Sequence, residues 1–488
     1  NIIIVVSNPK DWLFEISGVR VVEAQTYLTD PTYAAGSEAR VFNLCRSYRY
    51  QSVGYYVSLL AAARGHTPIP SVTTIQDLKS TSVVRAMSDD LDKLIQKSLA
   101  SIRSRTFTLS IYFGGNMAKR HAELALALFN MFQAPFLRAR FTYDEEEGWQ
   151  LHHIRAISAS EIPDSHRAFV VQQANRYFQR RHFRVRRRVK PRYSMAILYD
   201  EHAPHRPSDP VAIRKFERAA ERLGIETELI TRDDFARLAE FDALFIRETT
   251  GVMHHTYRFA RRAEAEGLVV IDDPLSILRC TNKVYLAELL SHHGVRTPRT
   301  LIVHRHNVDR IIPELGLPVV LKQPDSSFSQ GVVKAETPEA LEQAVTQLLD
   351  KSDLIIAQEF IGTPFDWRIG VLDRTPIYAC KYYMARRHWQ VIQREGDAVV
   401  EGEHETLPVE LAPSHVVSTA VRAANLIGNG LYGVDLKQVG RQCYVIEVND
   451  NPSIESGVED KVLKDDLYLR IMSVFLRRIE QRKSAWAR

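Results

Sequence analysis

The sequence lacks the cysteine spacing of a disulfide-rich or zinc-binding protein. Four cysteines are scattered through 488 residues, with no C-x-x-C pair among them: Cys45, Cys280, Cys380 and Cys443. Such spacing predicts neither a disulfide framework nor a zinc knuckle. We expect all four thiols to be reduced and mostly packed inside the protein.

Long hydrophobic runs are also missing. No apolar stretch approaches the roughly 20 residues that a membrane-spanning helix needs, and the start, NIIIVVSNPKDW, lacks the basic flank and cleavage site of a signal peptide. We therefore expect a cytoplasmic protein with no membrane contact. The 45% hydrophobic and 25% charged residues are typical of a soluble globular protein. The length predicts about two to four domains.

Acidic residues are absent from one basic stretch, Arg176 to Arg192, which reads RYFQRRHFRVRRRVKPR and holds nine Lys or Arg. The whole chain has a net charge of +5, so the other residues together carry −4. The basicity is therefore local. Such a patch could bind an acidic or nucleic-acid partner, or it could be a solvated helix end leading into a linker, and both interpretations stay open. Assembly into a homo-oligomer is open as well.

Two common ligand-binding motifs are missing, the G-x-x-x-x-G-K-[ST] phosphate loop and the H-E-x-x-H zinc helix. The run GNGLYG, Gly428 to Gly433, matches the dinucleotide fingerprint letter for letter. A helical pattern precedes it and a strand pattern follows, which is the reverse of the order that a pyrophosphate site requires. We interpret these glycines as a helix stop and a turn.

Three regions of the chain differ in pattern. Residues 1–190 mix strand-like and helical runs with one hairpin pattern, which predicts an N-terminal α/β domain without a catalytic constellation. Residues 191–280 alternate short apolar strands with amphipathic helices, as a small parallel sheet of βαβ units does. Residues 281–488 mix helices with antiparallel hairpins, and the candidate site residues lie in this region.

A lysine-bearing hairpin is the first chemical signal, in PVVLKQPDSSFSQGVVKAE. Lys322 ends an apolar run, and a loop rich in small residues, Ser326 to Gly331, separates it from a strand carrying Lys334. A lysine flanked by buried strand residues needs an anionic partner, and backbone N–H groups of a flexible loop can close over phosphate oxygens. The alternative is a hairpin whose lysines extend to solvent.

A second signal is LIIAQEFIGTPFDWRIGVLD, in which an apolar strand leads into Gln358, Glu359, Phe360 and Ile361. Adenine needs a flat apolar slot with one donor and one acceptor at its edge. Backbone groups and Glu359 at the end of a strand could supply them. A charged strand edge is the alternative.

The third signal is a pair of strands, LYGVDLKQ and QCYVIEVND, around a turn at Val439 to Gln442. This turn would place Asp435 opposite Glu447, roughly 5 Å apart at Cβ, with Asn449 on the same face. Two facing carboxylates repel unless a cation lies between them, and oxygen ligands suit Mg²⁺ or Mn²⁺. An exposed acidic hairpin is the alternative. Asp450 and Asn451 then read as turn formers or weaker outer ligands before Pro452.

Taken in this order, the motifs resemble the ATP-grasp superfamily, and most closely its RimK-like branch of glutamate ligases related to glutathione synthetases. The resemblance runs from about Ser194 to Leu476, and VIEVNDNPSIESG is close to the E-V-N-x-x-P ending of that branch. It implies an α+β ATP-grasp fold: a small parallel-sheet domain followed by a two-lobed domain with antiparallel sheets. Residues 1–190 resemble the extra domain that precedes some RimK-like ligases.

The resemblance also implies roles for individual residues, with ATP and Mg²⁺ or Mn²⁺ as cofactors. Lys283 and Lys322 would contact phosphates. The lid over the phosphates would include Ser327, Ser329, Gln330 and Gly331. The adenine would lie against Gln358, Glu359, Phe360 and Ile361, with Asp366 near the ribose or the substrate. The metal ligands would be Asp435, Glu447 and Asn449.

The resemblance implies ATP-dependent joining of a carboxylate to an amine through an acyl phosphate, with glutamate or another amino acid added to a peptide, protein or small amine. We expect Arg368 and Lys381 to stabilise the developing charge. Arg386 or Arg387 would bind a substrate carboxylate, although CKYYMARRHWQ has tyrosines where the RimK-like pattern tends to be rich in arginine.

Arg247 and Glu248, at a strand end, are candidates for acceptor recognition. The competing hypothesis is a non-catalytic nucleotide sensor or interaction protein that keeps the same fold. The retained set of lysines and metal-grade ligands favours the enzyme.

Overall fold

The computed structural model describes residues 2–12, 14, 16, 18–33, 39–80, 84, 88, 91–145, 147–179, 191–203, 206–325, 331–384, 392–395 and 398–486. The chain forms two compact units, each described by itself. The first comprises Asn1–Ser194, Asp233–Asp242 and Glu480–Arg488. The second comprises Met195–Arg232 and Ala243–Ile479. The domain boundaries proposed at residues 190 and 280 stay a prediction.

A parallel sheet begins the first unit, in the order β2-β1-β3-β4. Its strands are β1 (Ile2–Val6), β2 (Arg20–Glu23), β3 (Arg40–Asn43) and β4 (Thr67–Ile69), and its helices are α1 (Ala24–Thr29), α2 (Val53–Ala63) and α3 (Val72–Asp77). The strand IIIVV is apolar throughout because both sides are covered. Ile3 and Val5 enter one hydrophobic cluster, whereas Ile4 and Val6 enter another.

An antiparallel sheet follows in the same unit, in the order β5-β6-β7. It consists of β5 (Thr106–Tyr112), β6 (Phe136–Asp144) and β7 (Gly148–Ala156), with α4 (Asp92–Leu99), α5 (Ala122–Met131) and α6 (Arg167–Gln179) around it. The predicted hairpin is confirmed, since Asp144 pairs with Gly148 across its acidic turn. Most of the basic stretch, residues 180–190, lies outside the described residues.

The second unit opens with the predicted parallel sheet, in the order β11-β10-β8-β9. It contains β8 (Tyr193–Leu198), β9 (Ile225–Ile230), β10 (Ala243–Ile246) and β11 (Val269–Ile271), with α7 (Pro210–Arg222), α8 (His255–Ala265) and α9 (Pro274–Thr281). β10 runs parallel to β8 and β11. Two of the helices start at an aspartate cap followed by proline, Asp209 and Asp273, which satisfies their first N–H groups.

A four-stranded antiparallel sheet comes next, in the order β12-β15-β13-β14. It is built from β12 (Thr300–Val303), β13 (Val319–Lys322), β14 (Val332–Ala335) and β15 (Ile355–Glu359), with α10 (Lys283–His292), α11 (Ile311–Leu315) and α12 (Pro338–Leu349). One face packs Val319, Leu321 and Ala357 into a hydrophobic cluster. Because strand residues alternate, Lys322 and Gln358 lie on the opposite face.

The largest sheet has the order β20-β17-β16-β21-β22. Its strands are β16 (Phe365–Leu372), β17 (Thr375–Tyr383), β20 (His404–Leu407), β21 (Leu431–Val439) and β22 (Gln442–Asn449). A separate pair is formed by β18 (Ile392–Glu395) and β19 (Ala398–Glu401), and the helices are α13 (Ser414–Ile427) and α14 (Asp465–Trp486). Trp367, Ile369 and Val434 pack into one cluster with residues of α13 on one face. The opposite face carries polar side chains, among them Arg368 and Asp435.

Three expectations are confirmed by this fold: the class, the free cysteines and the helix stop at GNGLYG. The class is α/β with antiparallel sheets in the last region, and all four cysteines are free and buried. Gly428 ends α13 and β21 begins at Leu431, so GNGLYG is a helix stop and not a dinucleotide loop. Within the described ranges, no helix combines the length and the apolar character needed to cross a bilayer.

Candidate functional site

A row of charged side chains crosses the largest sheet. Arg368 on β16 pairs with Asp435 on β21. Asp435 pairs with Glu447 on β22, as predicted, and a register shift between Asp435 and Leu436 contributes to this pairing. Directly paired residues of an antiparallel sheet point to the same side. The two carboxylates therefore face one another on the side opposite the hydrophobic cluster.

Basic side chains compensate this pair of carboxylates. Arg368 donates from Nε to Asp435 Oδ1 at 2.7 Å and from Nη2 to Oδ2 at 2.8 Å, a bidentate ion pair. Lys283, at the start of α10, places Nζ 3.0 Å from Glu447 Oε1. Asn449 donates from Nδ2 to Asp435 Oδ2 at 3.2 Å, so its amide lies beside the same carboxylate.

Lys322 is the second lysine of this cluster. Its Nζ donates to Gln358 Oε1 at 2.8 Å, and Gln358 in turn donates to Thr300 Oγ1 at 2.9 Å. Burial lowers the pKa of Lys322 to about 8, although the Glu447 carboxylate opposes that shift. Burial alone would raise the pKa of Glu447, but Lys283 and Lys322 outweigh it and leave that pKa lowered. The two lysines therefore provide positive charge that can bind an anionic ligand.

Comparison with known proteins gives two family matches. Residues 280–474 match the RimK-like ATP-grasp domain, and residues 24–173 match the RimK-like ATP-grasp N-terminal domain. A probable alpha-L-glutamate ligase of Syntrophotalea carbinolica is 31% identical over 233 residues, which are 47% of this chain and 74% of that protein. The chain belongs to the RimK-like ATP-grasp family. It is accordingly an ATP-dependent ligase.

Other similarities agree with this family in part. A probable alpha-L-glutamate ligase of Teredinibacter turnerae is 29% identical over 272 residues, covering 52% of this chain and 87% of that protein. The solved RimK domain ATP-grasp protein of Sphaerobacter thermophilus has 19% identity and a TM-score of 0.44, and covers 57% of this chain and 98% of that one. At that score the structural likeness is too weak to support a conclusion.

Residues expected at the nucleotide in this RimK-like chain fall into two groups. Lys283 contacts Glu447, and Lys322, which Gln358 holds, interacts electrostatically with the same carboxylate. Glu359 does not share the Gln358 side, because neighbouring strand residues alternate. Its carboxylate accepts from Arg299 instead, from the backbone N at 2.8 Å and from Nε at 2.7 Å.

Asp366 lies on β16 two residues before Arg368 and is held by a lysine absent from the sequence prediction. Lys437 donates from Nζ to Asp366 Oδ1 at 2.6 Å and to Thr363 Oγ1 at 2.9 Å. Burial raises the pKa of Asp366, and Lys437 opposes the rise. The strand period offered a signal, since Lys437 stands two residues after Asp435 and shares its face.

Arg368 and Lys381 are not brought together. Lys381 pairs with Trp367 across β16 and β17, whereas Arg368 pairs with Cys380. The lysine therefore lies on the opposite face, with Nζ 5.3 Å from the Phe365 ring centroid. It is bound to Glu405, 2.9 Å from Nζ to Oε2. Alternation along β17 places the side chain away from the carboxylate row.

The expectation that Arg247 recognises an acceptor is wrong, because the side chain is completely buried. Its guanidinium donates to Asn451 Oδ1 at 2.7 Å, to Pro452 O at 2.9 Å and to Pro207 O at 2.6 Å. Burial lowers its pKa to about 10. Arg247 fixes the loop after the Glu447 strand, and Asn451 is therefore more than a turn former.

Glu248, the other acceptor candidate, is also engaged. Its Oε2 lies 2.6 Å from His255 Nε2, and only 5% of the residue is exposed. Five further predicted positions lie outside the described residues, and these are Ser327, Ser329, Gln330, Arg386 and Arg387. Gly331 is described, and its carbonyl accepts from Gln323 N at 2.9 Å.

The donor set fits a hard divalent cation. Asp435, Glu447 and Asn449 offer carboxylate and amide oxygens on adjacent strands, which are the ligand types that Mg²⁺ and Mn²⁺ prefer. In the described part of the chain, no three His, Cys, Asp or Glu residues cluster at metal-binding distance. A cation here would therefore need oxygens from a bound nucleotide or water to complete its shell.

Proposed function

We propose that the protein is an ADP-forming carboxylate–amine ligase that adds an amino acid, in the first place glutamate, to a peptide, protein or small amine. Its family supports ATP-dependent ligation, and both relatives described above are named probable alpha-L-glutamate ligases. The observation that carries the proposal is the row in which Lys283 faces Glu447 and Arg368 faces Asp435. Paired cations and carboxylates of this kind suit a phosphate with its metal.

Each residue of the row has a role in this proposal. Lys283 and Lys322 bind phosphate oxygens, and Gln358 orients Lys322. Asp435, Glu447 and Asn449 would hold Mg²⁺ or Mn²⁺, which would neutralise phosphate charge. The segment from Gln358 to Ile361 lines the adenine, chiefly through its backbone, because the Glu359 side chain is occupied by Arg299. Asp366 contacts the ribose or the substrate in this proposal.

The reaction needs two displacements. An oxygen of the substrate carboxylate forms a bond to the γ-phosphorus of ATP while the bond to the ADP oxygen breaks. The amine nitrogen then attacks the activated carbonyl carbon, phosphate leaves, and the amine releases a proton. Arg368 stabilises negative charge during both steps in this proposal, since its partly buried guanidinium lies beside the proposed metal ligand Asp435.

Product analysis tests this function. The protein is incubated with ATP, Mg²⁺, pooled amino acids and candidate acceptors, and ADP and product masses are followed. We expect ADP release that depends on both substrates and an acceptor heavier by one amino-acid residue. ATP binding without ADP formation, across amino-acid and peptide panels, would refute the ligase and favour the nucleotide sensor.

A further inference from the structure

Arg368 has a second support besides Asp435. Its guanidinium carbon lies 5.1 Å from the centroid of the Tyr382 ring. Tyr382 pairs with Asp366, so its ring shares the face on which the carboxylate row lies. A guanidinium at this distance from an aromatic ring is attracted by the ring quadrupole, and more strongly in a buried setting.

The Tyr382 ring is itself anchored away from the carboxylate row. Its hydroxyl donates to Glu459 Oε1, and Glu459 is only 1% exposed. The other Glu459 oxygen accepts from Glu455 N at 2.8 Å. Thr406 holds the same segment by donating to Val458 O at 2.7 Å. The position of the ring is therefore set by the chain after β22.

A metal ion at Asp435 would disturb the ion pair between Asp435 and Arg368. Both of its oxygens are engaged by Arg368, and one also accepts from Asn449. A divalent cation at Asp435 would draw on the same lone pairs and would place a second positive charge beside the guanidinium. Arg368 then needs a partner that does not depend on Asp435, and the Tyr382 ring is such a partner.

We propose that Tyr382, anchored by Glu459, is a positioning residue that keeps Arg368 in the site when Asp435 binds the metal. The proposal rests on the function proposed above. It also gives a reason for a tyrosine in CKYYMARRHWQ, where the family pattern tends to be rich in arginine. A neutral ring holds Arg368, whereas another cation would repel it.

Metal binding without turnover tests the proposal directly. Mn²⁺ affinity is measured by electron paramagnetic resonance in the presence of ADP, for wild-type protein, Tyr382→Leu, Arg368→Met and the double variant. Without the ring, Arg368 stays on Asp435 and competes with the metal. We expect Mn²⁺ to bind Tyr382→Leu more weakly, by up to roughly 30-fold, which is the whole of a strong cation–π contact. In the Arg368→Met background the same change should have no effect.

Two further variants keep the test decisive. Tyr382→Phe keeps the ring but frees it from Glu459, so it should fall between wild type and Tyr382→Leu, and it replaces the leucine variant if that one fails to fold. Tyr383→Phe removes the neighbouring hydroxyl, which donates to Glu405 at 3.1 Å, and should bind Mn²⁺ as wild type does. Equal weakening with and without Arg368 would overturn the proposal, as would no weakening.

Activity gives a separate readout. If the ligase is active, Tyr382→Leu should lower kcat while the KM for ATP changes by less than about 3-fold, because the ring acts through a residue that stabilises the transition state. A rise in the KM for ATP as large as the fall in kcat would indicate a role in nucleotide binding and overturn the positioning role. If wild-type protein binds Mn²⁺ and ADP but forms no ADP from ATP, the ligase fails and the Mn²⁺ test still stands.

Discussion

Lys322 gives a prediction that can be worked out quantitatively. Its pKa lies at about 8 in the folded chain, against an ordinary 10.5, and burial is the main cause. At pH 8 about half of the molecules therefore carry a neutral Lys322. Phosphate oxygens placed against Nζ favour the charged form and raise the pKa again.

Nucleotide binding at pH 8 should therefore take up about half a proton per site. Above pH 8 the affinity should fall with rising pH, by up to about tenfold per unit until pH 10.5, because more of the free protein must be protonated on binding. Calorimetric titration of ADP and Mg²⁺, in buffers of different ionisation enthalpy, measures the uptake directly.

Two variants show whether Lys322 is the group that takes up the proton on nucleotide binding. Lys322→Met keeps the length of the side chain and should abolish the uptake, while Lys351→Met, at an exposed position, should leave it unchanged. An uptake that survives in Lys322→Met would show that another group titrates. Wild-type binding without any uptake would refute the reasoning from burial.

Three further predictions concern packing and the metal site. Arg247→Met removes the donors of a buried network and should lower the free energy of unfolding by about 2–5 kcal/mol, measured by urea denaturation. Gly370→Ala would place Cβ 2.2 Å from the Tyr378 ring, and this buried ring must shift at a cost of about 1–3 kcal/mol in the same assay. Glu447→Gln removes one charged ligand and should reduce ADP formation by about 100-fold or more.

Matched controls separate these effects from general damage. Arg214→Met, on an exposed helix position, should change the unfolding free energy by less than about 0.5 kcal/mol. Gly251→Ala places Cβ 3.7 Å from its nearest neighbour, so it should be tolerated. Glu342→Gln, exposed on α12, should keep wild-type ADP formation. If a control variant shows the same effect as its test variant, the cause assigned to that test variant is wrong.

Local rules were enough to predict the hairpins and, to within one residue, the register of the Asp435 hairpin. Residues on one strand alternate in direction, and a tight turn fixes which residues of two neighbouring strands pair. The turn alone, which pairs Val439 with Gln442, would place Asp435 opposite Ile446, and a register shift between Asp435 and Leu436 brings Glu447 opposite it instead. The same rules give the opposite faces of Arg368 and Lys381, once β16 and β17 are paired.

The sequence by itself determined the alternating patterns and the turns, and these bring Asp435 to within one residue of its partner Glu447. The register shift that sets the two residues opposite one another belongs to the folded sheet. Only the tertiary structure decided which cations meet that row, because Lys283 and Glu447 come from elements 164 residues apart in the chain. It also decided that Arg247 is buried and unable to receive a substrate. Such pairings depend on packing between elements that are far apart in the chain. The spacing of residues along the sequence does not predict which of these elements meet.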